Sequence, residues 1–272
     1  GSDNKQAAGS GSGLTEAACL GIFADVGGLL REERPESLEQ CLDQLISIPY
    51  PQPSIGKEQI LEMLGLVVDH TAARVHRLNA TQLQGEDDLL YRAARFTVLL
   101  CMRQVQFALP DALLQSSVSV FSGVLATMEA AQQPLPAAGE LLSATSQLIG
   151  SDTGRLSAHH QRLVKVCRWY ADPGSQDVQT RTSALHAIGS LCGPKPGPGG
   201  GAMCAALFSS VLENLQLSIG ATSAAAGGGG AGDQLVGSNG RKLSASAEAR
   251  FLSHALRALQ KLVPECSTAT LG

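Results

Sequence analysis

The sequence predicts an all-α protein built from stacked pairs of amphipathic helices, and three observations carry that expectation. Leu, Ala, Ser, Gln and Glu dominate the chain, and most of these lose little rotamer freedom in a helix. Aromatics are only 4% of the 272 residues, whereas sheets draw on aromatic and β-branched side chains. From Leu14 onward, apolar residues recur at helical spacing, punctuated by Pro, Gly, Asp or Ser about every 20 residues.

The first helix is expected over about Leu14 to Leu30. The second is announced by Pro35 in a first-turn position, with Leu38, Cys41, Leu42, Leu45 and Ile46 on one face. Pro49, Pro51 and Pro53 end it, because proline cannot continue a helix. Ser54 is placed to cap the third helix, which carries Ile60, Leu61, Leu64, Val67, Val68, Val75 and Leu78. The run from Gln84 to Asp88 breaks the chain and sets carboxylates at the positive end of a fourth helix, about Asp87 to Ala108. That helix is apolar over most of its surface, which predicts a central element packed on more than one side.

Pro110 opens a fifth helix to about Ala130, and the hinge Pro134-Leu135-Pro136 opens a sixth that ends at Gly150. Ser151-Asp152 or Thr153 caps a seventh through Tyr170, and the turn Asp172-Pro173-Gly174 leads to an eighth over Val178 to Leu191. A Pro/Gly run from Gly193 to Gly201 follows. A ninth helix is expected over Met203 to Ile219 and a tenth over Ala245 to Val263. Residues 221–244 between them, rich in Ala, Gly and Ser, cannot bury enough apolar area to offset their ordering entropy and read as a flexible insertion. Residues 1–13 read as a cloning remnant and disordered linker, marking a segment of something longer. Residues 14–266 then form one helical-repeat domain.

The formal net charge of −4 argues against a chain whose main task is neutralising phosphates. The seven cysteines are odd in number and scattered within apolar helical pattern, so they read as reduced core groups in cytoplasm or nucleus. A stretch of about 18 apolar residues is absent from the sequence, which predicts no membrane partner.

The segment Asp172 to Leu191 resembles the second half of a HEAT repeat. An Asp beside the inter-helix turn, then an Arg, then a buried small-residue stripe fall here at Asp177, Arg181, Ala184, Ala187, Gly189 and Leu191. Residues Lys57 to Val68 are a weaker echo without the Arg. The resemblance implies a right-handed α-solenoid of about five antiparallel helix pairs, HEAT- or armadillo-like, whose inner helices display side chains to a protein partner.

Other constellations have plain structural accounts. The glycine-rich stretches Gly227 to Gly232 and Gly237 to Lys242 follow no strand, and Arg241 separates glycine from lysine, so they do not make a phosphate loop. Adjacent His159 and His160 point about 100° apart on a helix and do not chelate one ion. The chain lacks a Gly-x-Ser-x-Gly elbow. No catalytic residue, cofactor, metal or small-molecule substrate is therefore expected.

Candidate partner-binding residues are Arg74, Arg77, Arg92, Arg95 and Arg103, whose two successive helices can bring them into a stripe, and the Trp169-Tyr170 pair. Ser244, three residues after Arg241, is a candidate phosphosite. The expected function is a non-enzymatic protein-interaction scaffold. The competing readings are a nucleic-acid-associated HEAT module and an α-helical regulatory or enzyme domain.

Overall fold

The computed structural model describes residues 14–32, 37–105, 108–149, 153–172 and 177–192, together with residues 207–208, 211–212, 215–216, 219 and 255–256. All of the regular structure among these residues is helical. The helices are α1 (Glu16–Arg31), α2 (Leu38–Ser47), α3 (Lys57–Val75), α4 (Ala80–Gly85), α5 (Asp87–Leu99), α6 (Asp111–Ala130), α7 (Ala138–Ile149), α8 (His160–Ala171) and α9 (Val178–Leu191). None of the described helices is long and apolar enough to cross a membrane.

Local chemistry sets most of the starts. Thr15 Oγ1 accepts from Ala18 N at 3.2 Å, and Ser37 Oγ accepts from Gln40 N at 3.2 Å. Asp177 Oδ1 accepts from Gln179 N at 2.9 Å and Thr180 N at 3.0 Å. Each hydroxyl or carboxylate satisfies amides that have no partner within the helix.

Several boundaries differ from expectation. The second helix starts at Leu38 after Ser37, while Pro35 lies outside the described residues. Ser54 is not the cap of α3: it sits in the turn before Gly56, and Gln59 Oε1 accepts from Gly56 N at 2.9 Å instead. The third helix stops at Val75, not Leu78, because Arg77 takes φ 70° and reverses the chain. Asn79 and Gln82 then cap each other reciprocally and open the short α4, which hydropathy does not signal in six residues. The fourth expected helix is α-helical only to Leu99; Leu100–Gln104 widen into a π turn, closed by Val105 N on Leu100 O at 2.8 Å. The seventh is divided, since a 3-10 segment Thr153–His159 bent at Leu156 precedes α8.

Contacts sort the described helices into two rows. Helices α1, α3, α6 and α8 pack in succession, as do α2, α5, α7 and α9, and the rows are joined pairwise: α1 with α2, α3 with α5, α6 with α7, α8 with α9. Leu42, Leu64, Leu90, Phe96, Phe121, Leu141 and Leu185 are fully enclosed in the seam between the rows. Burial of each such side chain is worth about 1.5–3 kcal/mol, so packing together outweighs the roughly 1 kcal/mol from any cap. At the α7–α9 contact, Gly139 brings its backbone within 3.6 Å, measured from an added Cβ, of Thr180 Cα. Ser143 and Ser183, and Ser146 and Ser190, exchange hydrogen bonds at 3.1 and 2.8 Å along the same seam.

The fifth expected pair lies largely outside the described residues. Those described there are helical, with Leu207, Val211 and Ala255 buried. Residues 1–13 and 221–244 also lie outside.

Candidate functional site

α5 packs against α2 and α7 within its row and against α3 behind it. Its buried side is Leu89, Leu90, Ala93, Ala94, Phe96, Thr97 and Val98. Thr97 is enclosed without penalty because its Oγ1 donates to Ala93 O at 2.9 Å. The opposite side carries Tyr91, Arg92, Arg95, Leu99 and, on the π turn, Met102, at helical spacings that place them along one strip. Tyr91 is 47% and Met102 64% exposed.

Both arginines of this strip are engaged. Arg92 Nε donates to Asp43 Oδ1 of α2 at 2.7 Å, and its Nη1 lies 3.8 Å from Asp88 Oδ2. Arg95 Nη1 reaches Glu140 Oε1 of α7 at 3.0 Å. α5 thus ties each neighbour in its row by one ion pair, and the charges on the strip are neutralised within the face. Contacts of this kind contribute about 0.2–1 kcal/mol each where water reaches them. Their larger consequence is electrostatic, because a paired guanidinium offers little field to an incoming ligand.

The other sequence-predicted residues are placed as follows. Arg74 lies in the last turn of α3 and donates through Nε to Glu86 Oε1 at 2.9 Å. Arg77 is exposed in the α3–α4 corner and Arg103 on the π turn; neither forms an ion pair among the described residues. Tyr170 is wholly buried, and burial, aided by the charge of Glu129, pushes its hydroxyl above the usual tyrosine range. It touches Trp169 edge-on, with centroids 4.5 Å apart and planes at 84°. Trp169 is half-buried and donates through Nε1 to Gln132 Oε1 at 3.2 Å, so the pair anchors the end of α8 on the α6–α7 turn. Ser244 lies outside the described residues.

Among the described residues, no group of three or more His, Cys, Asp or Glu side chains could hold a metal ion. His159 Nε2 is 2.8 Å from Gln115 Oε1. Cys167 is enclosed, and burial pushes its thiol up to about 12. A groove runs between α1 and α3, lined by Phe23, Met63 and Leu66 and by Arg31 and Glu62, which are paired at 2.8 Å.

Tyr91 and Met102 are the exposed residues of this strip that sequence reasoning did not single out. Their eleven-residue separation places them on the same side as Arg92 and Arg95, but which side of α5 faces water is set by the helices packed on it. The partners of those arginines are 49 and 45 residues away in the chain, beyond the reach of local pattern. No family model matches the chain, nor does any curated protein or solved structure match it.

Proposed function

We propose that this chain is a non-enzymatic protein–protein interaction scaffold: a right-handed α-solenoid segment, HEAT- or armadillo-like, of a larger intracellular protein. The carrying observation is the packing order, in which each helix of a row meets the next helix of that row and the two rows are joined pair by pair. Arrays of this kind hold a regular ridge of side chains on a rigid frame, and that ridge is what a partner reads. The HEAT-like helix α9 adds support, since Asp177 caps it and Ala184, Ala187 and Leu191 are fully enclosed.

The binding face in this reading is the exposed side of α2, α5, α7 and α9. It carries apolar side chains at its centre and polar ones around them, which is the usual composition of an interface patch. Arg92 and Arg95 already hold carboxylates, which weighs against the nucleic-acid reading. The test is site-specific photo-crosslinking in cells, with a photoreactive residue at Gln147 on α7 and, separately, at Glu58 on α3. Protein adducts from position 147 and none from 58 are expected. Absence of adducts at both positions overturns the scaffold reading, and adducts only at 58 move the binding face to the other row.

A further inference from the structure

We infer that the exposed side of α8 is a second docking surface, on the row other than α2–α5–α7–α9, and that it takes an acidic polypeptide segment of a partner protein. It stands apart from the scaffold reading, because it rests on charge and not on packing order.

Across its 12 residues α8 carries Arg162, Lys165 and Arg168 and no Asp or Glu. Spacings of three residues keep these cations within about 120° of arc, and all three are exposed. Leu163, Val166, Cys167 and Tyr170 are enclosed on the other side, so burial of the apolar side fixes the cations in water. Helices α1, α3 and α5 also bear lysine or arginine, but each has carboxylates of its own.

The elements packed on α8 supply few counter-charges. From α6, Glu129 Oε2 meets Lys165 Nζ at 2.8 Å, while Asp111 is paired with Arg155 of the 3-10 segment. Asp172, the C-cap residue of α8, is half-buried and engaged. Asp177 spends its carboxylate on the α9 amides, and Arg181 of α9 is enclosed. Arg162 and Arg168 form no ion pair among the described residues. The strip thus keeps two open positive charges, about 9 Å apart along the helix axis, in a chain of formal net charge −4.

Charge complementarity selects the occupant. Exposed cations without counter-charges steer carboxylates to the strip. A segment in the polyproline II form returns to one side every three residues, about 9 Å along. Carboxylates at positions i and i+3 of such a segment reach Arg162 and Arg168 together. A nucleic acid is the poorer fit, since its recognition draws on a broad basic stripe, whereas this strip ends after three cations and the chain has a pI of about 5.9. A polyanion running on past α8 meets a chain with an excess of carboxylates. A short acidic segment meets only the strip.

The test follows the anisotropy of a labelled peptide of about four Glu-Pro-Pro repeats with the full chain. A Gln-Pro-Pro peptide and an oligothymidylate of about twelve nucleotides run beside it. Saturable binding of the acidic peptide is expected at roughly 50 mM NaCl, weakening at least about tenfold by roughly 500 mM, with none for the Gln-Pro-Pro peptide. Arg162→Gln and Arg168→Gln should each weaken it at least about threefold, and together at least about tenfold. Arg168→Lys, which keeps the charge, should stay within about twofold of the parent, as should Lys57→Glu on α3, which alters net charge more than either glutamine. All these positions are exposed, so the variants should share the parent's thermal midpoint.

Tighter binding of the oligothymidylate than of the acidic peptide, lost on the same two substitutions, makes the strip a nucleic-acid surface and overturns the polypeptide inference. Binding that survives both substitutions, or that Lys57→Glu weakens as much as they do, overturns the choice of strip. No binding of the acidic peptide at roughly 50 mM NaCl overturns the inference; the crosslinking at position 147 decides the scaffold reading separately.

Discussion

Single residues carry the clearest energetic signals. Asp177 accepts two backbone amides and the Thr180 hydroxyl, at 2.7 Å. Burial opposes its charge, but these hydrogen bonds prevail and hold its carboxyl below the usual aspartate range. A lowered folded-state value means that the stability it contributes is full above the unfolded value and is lost as pH falls through the folded one. Asp177→Ala should cost about 1 kcal/mol in urea unfolding at pH 7, and Asp177→Asn far less. The gap between wild type and Asp177→Ala should narrow below about pH 4; a gap constant to pH 2 would contradict the capping role. The cysteines give a second prediction. Cys19, Cys41, Cys167 and Cys192 are buried, and burial pushes Cys101 and Cys167 up to about 12. With Cys204 and Cys266 replaced by Ser, native protein at pH 8 should react with a thiol reagent only on the unfolding timescale, and reductant should not shift its melt. A rapid burst of labelling would show an accessible thiolate.

At the scale of elements, α7 and α9 pack closely. A Cβ on Gly139 would lie 3.5 Å from Thr180 Oγ1 and 3.6 Å from its Cα, which is ordinary contact. Gly139→Ala should therefore hold or raise stability, because alanine restores up to about 1 kcal/mol of helix propensity. Gly139→Leu must push the helices apart, costing about 1–3 kcal/mol and breaking the Ser143–Ser183 and Ser146–Ser190 bonds. Thermal melts of the two variants check this, and equal destabilisation by both would show that the seam is less tight than the distances indicate. The π turn at Leu100–Gln104 is a second element-level feature. Gln104 exchanges two hydrogen bonds with the Gln52 backbone, at 2.6 and 2.8 Å, and so ties the end of α5 to the α2–α3 loop. Periodicity predicted a helix through this stretch, and a contact 52 residues distant accompanies its widening.

For the molecule as a whole, the composition of residues 221–244 predicts a dispensable insertion. Replacing 222–242 with a short linker should leave the thermal midpoint within about 2 °C, since loop closure varies only logarithmically with length. A large drop would mean that the segment packs on the helices. Eight of the nine described α-helices between Leu14 and Leu191, the central position of α5 and the buried stripe of α9 were legible in the sequence, because apolar periodicity and breaker residues act within one or two turns of the chain. The cap of α3 was not, since Ser54 and Gly56–Gln59 both lie within reach of its start and only the path of the preceding turn decides between them. Nor was the short α4, whose six residues hold too few apolar positions to show a period. The exposure of Met102 and the commitment of Arg92 to Asp43 and Arg95 to Glu140 were decided by tertiary structure alone. Which side of a helix faces water, and which carboxylate meets which guanidinium, depends on neighbours brought together from 45 to 49 residues away, and no local spacing encodes them.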